Sequence, residues 1–340
     1  MAPSNNPQQG TPQPRRQPKA RAGARGRFLP QLLVLMFCAS SPLLEADDDV
    51  PDPLTLEQAL GFATGHPRVG AAAEPSATAL FPRRQPLFLG CHELAFTGSR
   101  GRDDARDAAW SALLAPESAQ RLAIMQRFFD VLLADLSYSR DSEALAVAYI
   151  QFDRARVRAE LGQFSPLKVA ELEAGYQLIL RQRAASEASQ RITRSLLAQA
   201  LGRPDQLPRD LIAPDLTLSA SPPPELDAVV AAALRNNPQV QQLTMGASPA
   251  ERALIASEVR QQALELLTRL QLLSVVAEQA RIEADWRDLK LDESRTLYEL
   301  EAQADLGFSM SQQTKARRDE EQVALCRTLT RAELEALQGK

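Results

Sequence analysis

The feature that most restricts the fold is a set of apolar residues that recurs every three or four positions over very long stretches. In the second half this seam runs through Val259, Ala263, Leu266, Leu270, Leu273, Ala277, Ala280 and Ala284. In the first half it runs through Leu122, Met125, Phe129, Leu132 and Leu136. Such spacing puts the apolar side chains on one face of an α-helix. A helix of about 55 residues spans on the order of 80 Å, so we expect long helices packed side by side.

The composition agrees with a mainly α fold. Only 5% of the residues are aromatic, while 44% are hydrophobic and 24% are charged, a balance typical of long helices. The net charge is −4, so the chain lacks the basic excess of a nucleic-acid-binding protein.

Helix-breaking residues interrupt the long helical pattern once in each half. The first interruption, after Leu161, contains Gly162, Ser165 and Pro166, and it separates a helix that begins near Asp103 from one predicted over 167–201. The second contains Gly307 and Ser309, after a helix predicted from about Pro249 to Leu306. Glycine permits a left-handed turn, serine caps the next helix and proline suits its first position. These turns alone are also compatible with ordinary helix connections that bind no partner.

A short amphipathic helix precedes each long pair. In both segments, "LTLEQALGFATGHPRV" (54–69) and "PELDAVVAAALRNNPQV" (224–240), the short helix ends at a residue followed by proline, His66-Pro67 and Asn237-Pro238. The sequence therefore predicts a tandem repeat of helical hairpins, with the first repeat over 54–202, a linker over 203–224 and the second repeat over 225–339.

The N-terminal residues 1–46 are predicted to be a basic extension and a secretory signal peptide. Residues 1–27 carry six basic and no acidic side chains, and a short apolar run follows them. The start codon, the cleavage site and lipidation of Cys38 are left open. Cys38, Cys91 and Cys326 fit no metal-binding spacing, and we interpret the neighbouring Cys91 and His92 as a chance pair. We expect no metal, no cofactor and no enzymatic activity, because the sequence contains no phosphate loop and no nucleophile motif.

The doubled pattern resembles the TolC-like outer-membrane efflux proteins. The two short helices resemble the starts of that family's repeats, and "RARVRAELGQFSPLKVAELEAGYQ" and "YELEAQADLGFSMSQQTKARRDEEQVAL" resemble its two periplasmic tips. The resemblance implies a homotrimer that forms a hollow helical tube and a shared outer-membrane β-barrel. It also implies a passive export conduit of a tripartite efflux or type I secretion system. The partners would be a periplasmic adaptor (membrane fusion) protein and an inner-membrane transporter. The docking residues would be Gly162, Ser165, Pro166, Leu167, Gly307, Ser309 and Met310.

The sequence departs from this family where membrane strands belong. Only "QVQQLTMGAS" separates Asn237-Pro238 from the second long helix, and 70–102 has room for one strand, at 87–96. We therefore expect the β-barrel part to be reduced or absent. The alternative to an outer-membrane channel is a soluble periplasmic coiled-coil scaffold, or a degenerate paralogue that forms no pore. The aromatic residues Phe128, Phe129, Trp286 and Tyr298 are interpreted as packing residues.

Overall fold

The computed structural model describes residues 49–73, 82–96, 104–216, 224–300 and 306–340. These residues form ten α-helices. The short helices are α1 (Leu56–Gly61), α2 (Pro67–Gly70), α3 (Cys91–Ala95), α4 (Asp104–Ala112), α7 (Leu226–Asn236) and α8 (Pro238–Thr244). The long helices are α5 (Pro116–Glu160), α6 (Pro166–Leu201), α9 (Pro249–Glu299) and α10 (Leu306–Leu337). The described strands, β1 (Leu54–Thr55) and β2 (Leu211–Ile212), pair in parallel, with Leu54 opposite Leu211.

The four long helices lie side by side as one layer. Helix α5 packs against α6 on one side and α10 on the other, and α10 packs against α9. The order across the layer is therefore α6, α5, α10, α9, so that α6 and α9 form its two edges. The predicted mainly α fold of long helical hairpins is confirmed. In the described part of the chain, no helix has a stretch long and apolar enough to cross a membrane.

The hydrophobic core lies where the short helices pack on the layer. Phe128 and Phe129 of α5 are completely buried there, as predicted, with Leu197 of α6 and Leu325 of α10. A second cluster joins α7, α8 and α9 through Val229, Val240 and Val259 and their apolar neighbours. The short helices thus bury the apolar seams at one end of the long hairpins.

The first repeat closes through His66. The His66 side chain caps α2, because its Nδ1 accepts the backbone N–H of Arg68 at 3.0 Å. Its Nε2 lies 3.1 Å from the backbone carbonyl of Gln199, in the last turn of α6. Gly202 follows the last residue of α6 and caps the helix; its φ of 76° is left-handed, and a Cβ at this position would lie 3.2 Å from the imidazole ring.

The second repeat closes in the same way through Asn237. Its Oδ1 caps α8 by accepting the backbone N–H groups of Gln239 and Val240. Its Nδ2 donates to the backbone carbonyl of Leu337 at 3.0 Å, at the end of α10. His66 and Asn237, which each precede a proline, therefore have the same role. Each one binds a short helix to the C-terminal end of the returning long helix.

A strap formed by residues 82–96 crosses the layer. The prediction of a strand at 87–96 is wrong, because Cys91–Ala95 form the helix α3. Helix α3 contacts α9 and α10. A disulfide joins Cys91 to Cys326 of α10 and fixes the strap covalently. The sequence interpretation missed this bond, because 235 positions separate the two cysteines and no local signal connects them.

Two buried charged residues of α5 hold the strap backbone. The Asp130 carboxylate accepts the backbone N–H groups of Leu87 at 2.8 Å and Phe88 at 2.7 Å. The Arg127 guanidinium donates to the backbone carbonyl of Gln85 at 3.1 Å and also to that of Arg84. Burial raises the pKa of Asp130, and the two amide donors and Arg127 oppose that rise. These two buried ionisable side chains satisfy the hydrogen-bonding groups of the strap backbone.

The connection between α8 and α9 is short, as expected from the sequence. Thr244 ends α8 and Pro249 begins α9, so no strand pair is inserted between them. Ser248 starts α9 with a capping box, because its hydroxyl accepts the Glu251 N–H while the Glu251 carboxylate accepts the Ser248 N–H.

Candidate docking surfaces

The first predicted tip is a sharp turn between α5 and α6. Gly162 has a φ of 74°, and its N–H donates to Ala159 O at 2.9 Å. The next N–H, of Gln163, donates to Arg158 O at 2.9 Å, which completes a Schellman ending for α5. The left-handed glycine predicted from the sequence is therefore confirmed.

The helix that leaves this turn begins as the sequence predicts. The Ser165 hydroxyl accepts the Lys168 N–H at 3.2 Å, and Pro166 occupies the first helical position. Leu161 and Leu167 lie beside the turn and are 68% and 80% exposed. This tip therefore presents two large apolar side chains to solvent on a rigid turn, which suits contact with another protein.

The second predicted tip has a different structure. Helix α9 already ends at Glu299, and α10 begins at Leu306, so Gly307 and Ser309 lie inside the first turns of α10 rather than in the turn. Gly307 is not among the glycines with positive φ, so the role in backbone conformation expected for it is wrong. The capping role expected for Ser309 is also wrong, because its buried hydroxyl lies 2.7 Å from the Ser294 hydroxyl.

Gly307 has a packing role instead. A Cβ at this position would lie 2.7 Å from Cγ2 and 3.1 Å from Cγ1 of Val147 on α5. The absence of a side chain therefore lets α10 approach α5 closely. Met310, the last of the predicted docking residues, is 43% exposed.

The structure does not place Gly307 at the level of the first tip, and residues 301–305 lie outside the described residues. Gly307 lies beside Val147, and α5 continues from there to Glu160. At 1.5 Å per residue, the first tip lies about 20 Å beyond Gly307. The part of the α5–α6 hairpin that extends past Val147, residues 148–180, is named the arm. Ala155 is the one residue of the arm that is buried.

An aromatic cluster that the sequence interpretation missed lies on the arm. The Tyr176 ring of α6 is 5.9 Å from the Tyr149 ring and 5.8 Å from the Phe152 ring, both of α5. Nearer the turn, the Arg158 guanidinium lies over the Phe164 ring at 5.4 Å. These aromatic residues stand at similar sequence distances before and after Gly162, a signal that could have revealed the cluster. They hold the two helices together where the layer gives little cover.

The α9 edge of the layer exposes a stripe of bulky apolar residues. The stripe contains Val275, Ile282, Trp286 and Leu289, each about half exposed or more. Glu278 and Glu283 line the shallow groove around Ile282. Trp286 and Tyr298, interpreted from the sequence as packing residues, are 48% and 59% exposed, so neither is buried in the core of this chain.

The α6 edge exposes a stripe of mostly small residues. The stripe contains Ala174, Leu178, Ala185, Ala188 and Ile192, and Arg181 and Arg191 are also exposed on this helix. The two edges therefore differ in kind: the α9 stripe carries only large apolar side chains, whereas three of the five residues in the α6 stripe are alanines.

In residues 49–73, 82–96, 104–216, 224–300 and 306–340, no group of three or more His, Cys, Asp or Glu residues is placed to hold a metal ion.

The fold is shared with a known channel protein. The structure of CusC, described for its folding and transmembrane channel formation, matches with a TM-score of 0.55 at 11% identity, over 84% of this chain and 97% of that one. The outer membrane protein VceC of Vibrio cholerae matches at a TM-score of 0.48 and 12% identity, over 84% and 96% of the two chains. The outer membrane channel MtrE of Neisseria gonorrhoeae matches at 0.39 and 12%, over 84% and 88%. No protein-family model and no curated protein sequence matches the chain. The structural match to CusC confirms the TolC-like fold that the sequence predicts.

Proposed function

We propose that this chain, which has the TolC-like fold, is the outer-membrane channel component of a tripartite efflux or type I secretion system. It acts as a passive export conduit with a large periplasmic part, and it catalyses no reaction. The observation that carries this proposal is the fold shared with CusC, a protein described as forming a transmembrane channel. The long helical layer with two unlike edges is a second support.

Export to the periplasm has support from the disulfide. Disulfides persist in oxidising compartments, the bacterial periplasm among them, and are rare in the cytosol. Cys91 and Cys326 are bonded and buried in the structure. This agrees with the signal peptide predicted in residues 1–46, which lie outside the described residues.

The two edges of the layer support a closed ring of copies. An interface between unlike surfaces is heterologous, and it generates a ring when its rotation closes. In the proposed homotrimer, α9 of one copy packs against α6 of the next. Trp286 and Leu289 would then enter the spaces left by Ala185 and Ala188.

The arm supports docking on a periplasmic adaptor, which would connect the ring to an inner-membrane transporter. We assign the docking role to the first tip, at Gly162, Ser165, Pro166 and Leu167, since these residues form the far end of the arm. The second predicted group consists of Gly307, Ser309 and Met310. Only Met310 has an exposed side chain, so we give this group a supporting role in docking.

The proposal is tested by fractionating the cell envelope and measuring the mass of the detergent-extracted protein. We expect an outer-membrane trimer that Trp286→Asp converts to monomers, because the substitution puts a charge into the apolar stripe. Leu207→Asp is the matched control: Leu207 is 52% exposed, similar to Trp286, but it lies outside both edges. A wild-type chain that is monomeric and wholly soluble in the periplasm would refute the proposal.

That same outcome would favour the second candidate, a soluble periplasmic scaffold or a degenerate paralogue that forms no pore. The observation in its favour is the direct connection of α8 to α9 through residues 245–248. The clamped strap at 82–96 points the same way, since it occupies much of the segment between α2 and α4.

A further inference from the structure

The two repeats close through side chains of different chemistry. His66 and Asn237 both precede a proline, both cap a short helix and both bond to the last turn of the returning long helix. An amide does not titrate, whereas an imidazole gains a proton near neutral pH. The chain therefore contains a titrating and a non-titrating form of the same closure.

The hydrogen bonds of His66 require a neutral ring. Since Nδ1 accepts the Arg68 N–H at 3.0 Å, it carries no proton, and Nε2 is the nitrogen that donates to the Gln199 carbonyl at 3.1 Å. A second proton on Nδ1 would point at the Arg68 N–H, so that two donors would oppose each other. The ring cannot keep both contacts when it is charged.

The surroundings of His66 also disfavour a charged ring. The residue is 7% exposed, and burial lowers the pKa of His66, an effect that the bond to the Gln199 carbonyl opposes. The charged groups that act on the ring are Arg68 of α2 and Arg83 of the strap, and both lower the pKa of His66 further. From α6 the ring meets the Gln199 carbonyl and the Gly202 backbone, neither of which carries a charge.

We propose that the His66 contact between the start of α2 and the end of α6 is an acid-sensitive latch, which opens when His66 takes up a second proton. The Asn237 closure of the second repeat stays shut at the same pH. Acidification would thus free one end of the first repeat and leave the other repeat in place.

The sign of the effect follows from linkage. A histidine whose folded-state pKa lies below its unfolded value of 6.5 makes the folded state bind fewer protons than the unfolded state. Its contribution is therefore present above pH 6.5, is lost as the pH falls below that value, and levels off below the folded-state pKa.

Amide hydrogen exchange of the full-length protein between pH 7.5 and 5.5 tests the latch. After correction for the intrinsic pH dependence, we expect the protection of residues 54–70 to fall by up to about tenfold per unit of pKa difference. Residues 226–244 should keep their protection, and His66→Asn, which copies the second repeat, should remove the change at 54–70. His92→Gln, at the chain's other histidine, should leave it intact.

Equal pH dependence in wild type and His66→Asn would overturn the proposal, as would unchanged protection of 54–70 in the wild type. Should His66→Asn fail to fold, the reciprocal Asn237→His gives an independent test. We expect it to make residues 226–244 acid-sensitive, and unchanged protection there would count against the latch.

Discussion

Gly307→Ala tests whether the close approach of α5 and α10 depends on the missing side chain. The new Cβ would lie 2.7 Å from Val147 Cγ2, whereas carbon atoms in contact prefer about 3.5–4.0 Å. The helices must separate or Val147 must move, and overpacking of this kind costs about 1–3 kcal/mol. Alanine is favoured over glycine in a helix by about 1 kcal/mol. We expect a net loss of about 1 kcal/mol in the free energy of unfolding, from the balance of these two effects.

The Val147→Ala background supplies the decisive comparison. It removes the methyl groups that obstruct the new Cβ, so the same Gly307→Ala substitution should there stabilise the protein by up to about 1 kcal/mol. Urea denaturation followed by circular dichroism gives all four free energies. The reasoning is refuted if the coupling between the two sites stays below about 0.5 kcal/mol. Gly162→Ala provides a contrast, because the left-handed φ there should cost about 1–2 kcal/mol in either background.

Two further predictions concern the strap. Replacing Cys91 and Cys326 by serine should lower the free energy of unfolding by about 2–4 kcal/mol, and a reducing agent should then have no further effect; a continued response to reductant would contradict the assigned bond. Asp130→Asn should cost about 3 kcal/mol in urea denaturation, because the amide cannot accept both strap N–H groups and leaves Arg127 without its counter-charge. Asp135→Asn, in a more exposed pair with Arg194, is the control at about 1 kcal/mol or less, and equal losses would contradict the assigned clamp.

Local signals predicted the long helices and the first tip. Ser165 and Pro166 start a helix, and Gly162 ends one, because each acts through its own backbone and the next few residues. The apolar seam likewise reports the buried face of α9, where Val259 and Leu273 are completely buried. Such features depend only on residues close together in the sequence, so they can be predicted without the tertiary structure.

The features that sequence reasoning missed depend on contacts between distant segments. The bond between Cys91 and Cys326 and the hold of Asp130 on the strap exist only after the layer has formed. The second tip was misplaced because its helical pattern continues past Glu299, where the structure ends α9. Gly307 has the same local sequence appearance as Gly162, and only its neighbour on α5 shows that its role is different.

The disulfide also determines how independent the two repeats are after folding. It joins a segment early in the first repeat to the last helix of the second, so residues 91–326 form a closed covalent ring. A protease that cuts the 203–224 linker would leave one molecule under oxidising conditions, since the bond still joins the two pieces. The repeats of one chain therefore cannot separate or be exchanged with those of another chain while the bond is intact. The two helical hairpins of this chain are in this way one inseparable unit rather than two independent modules.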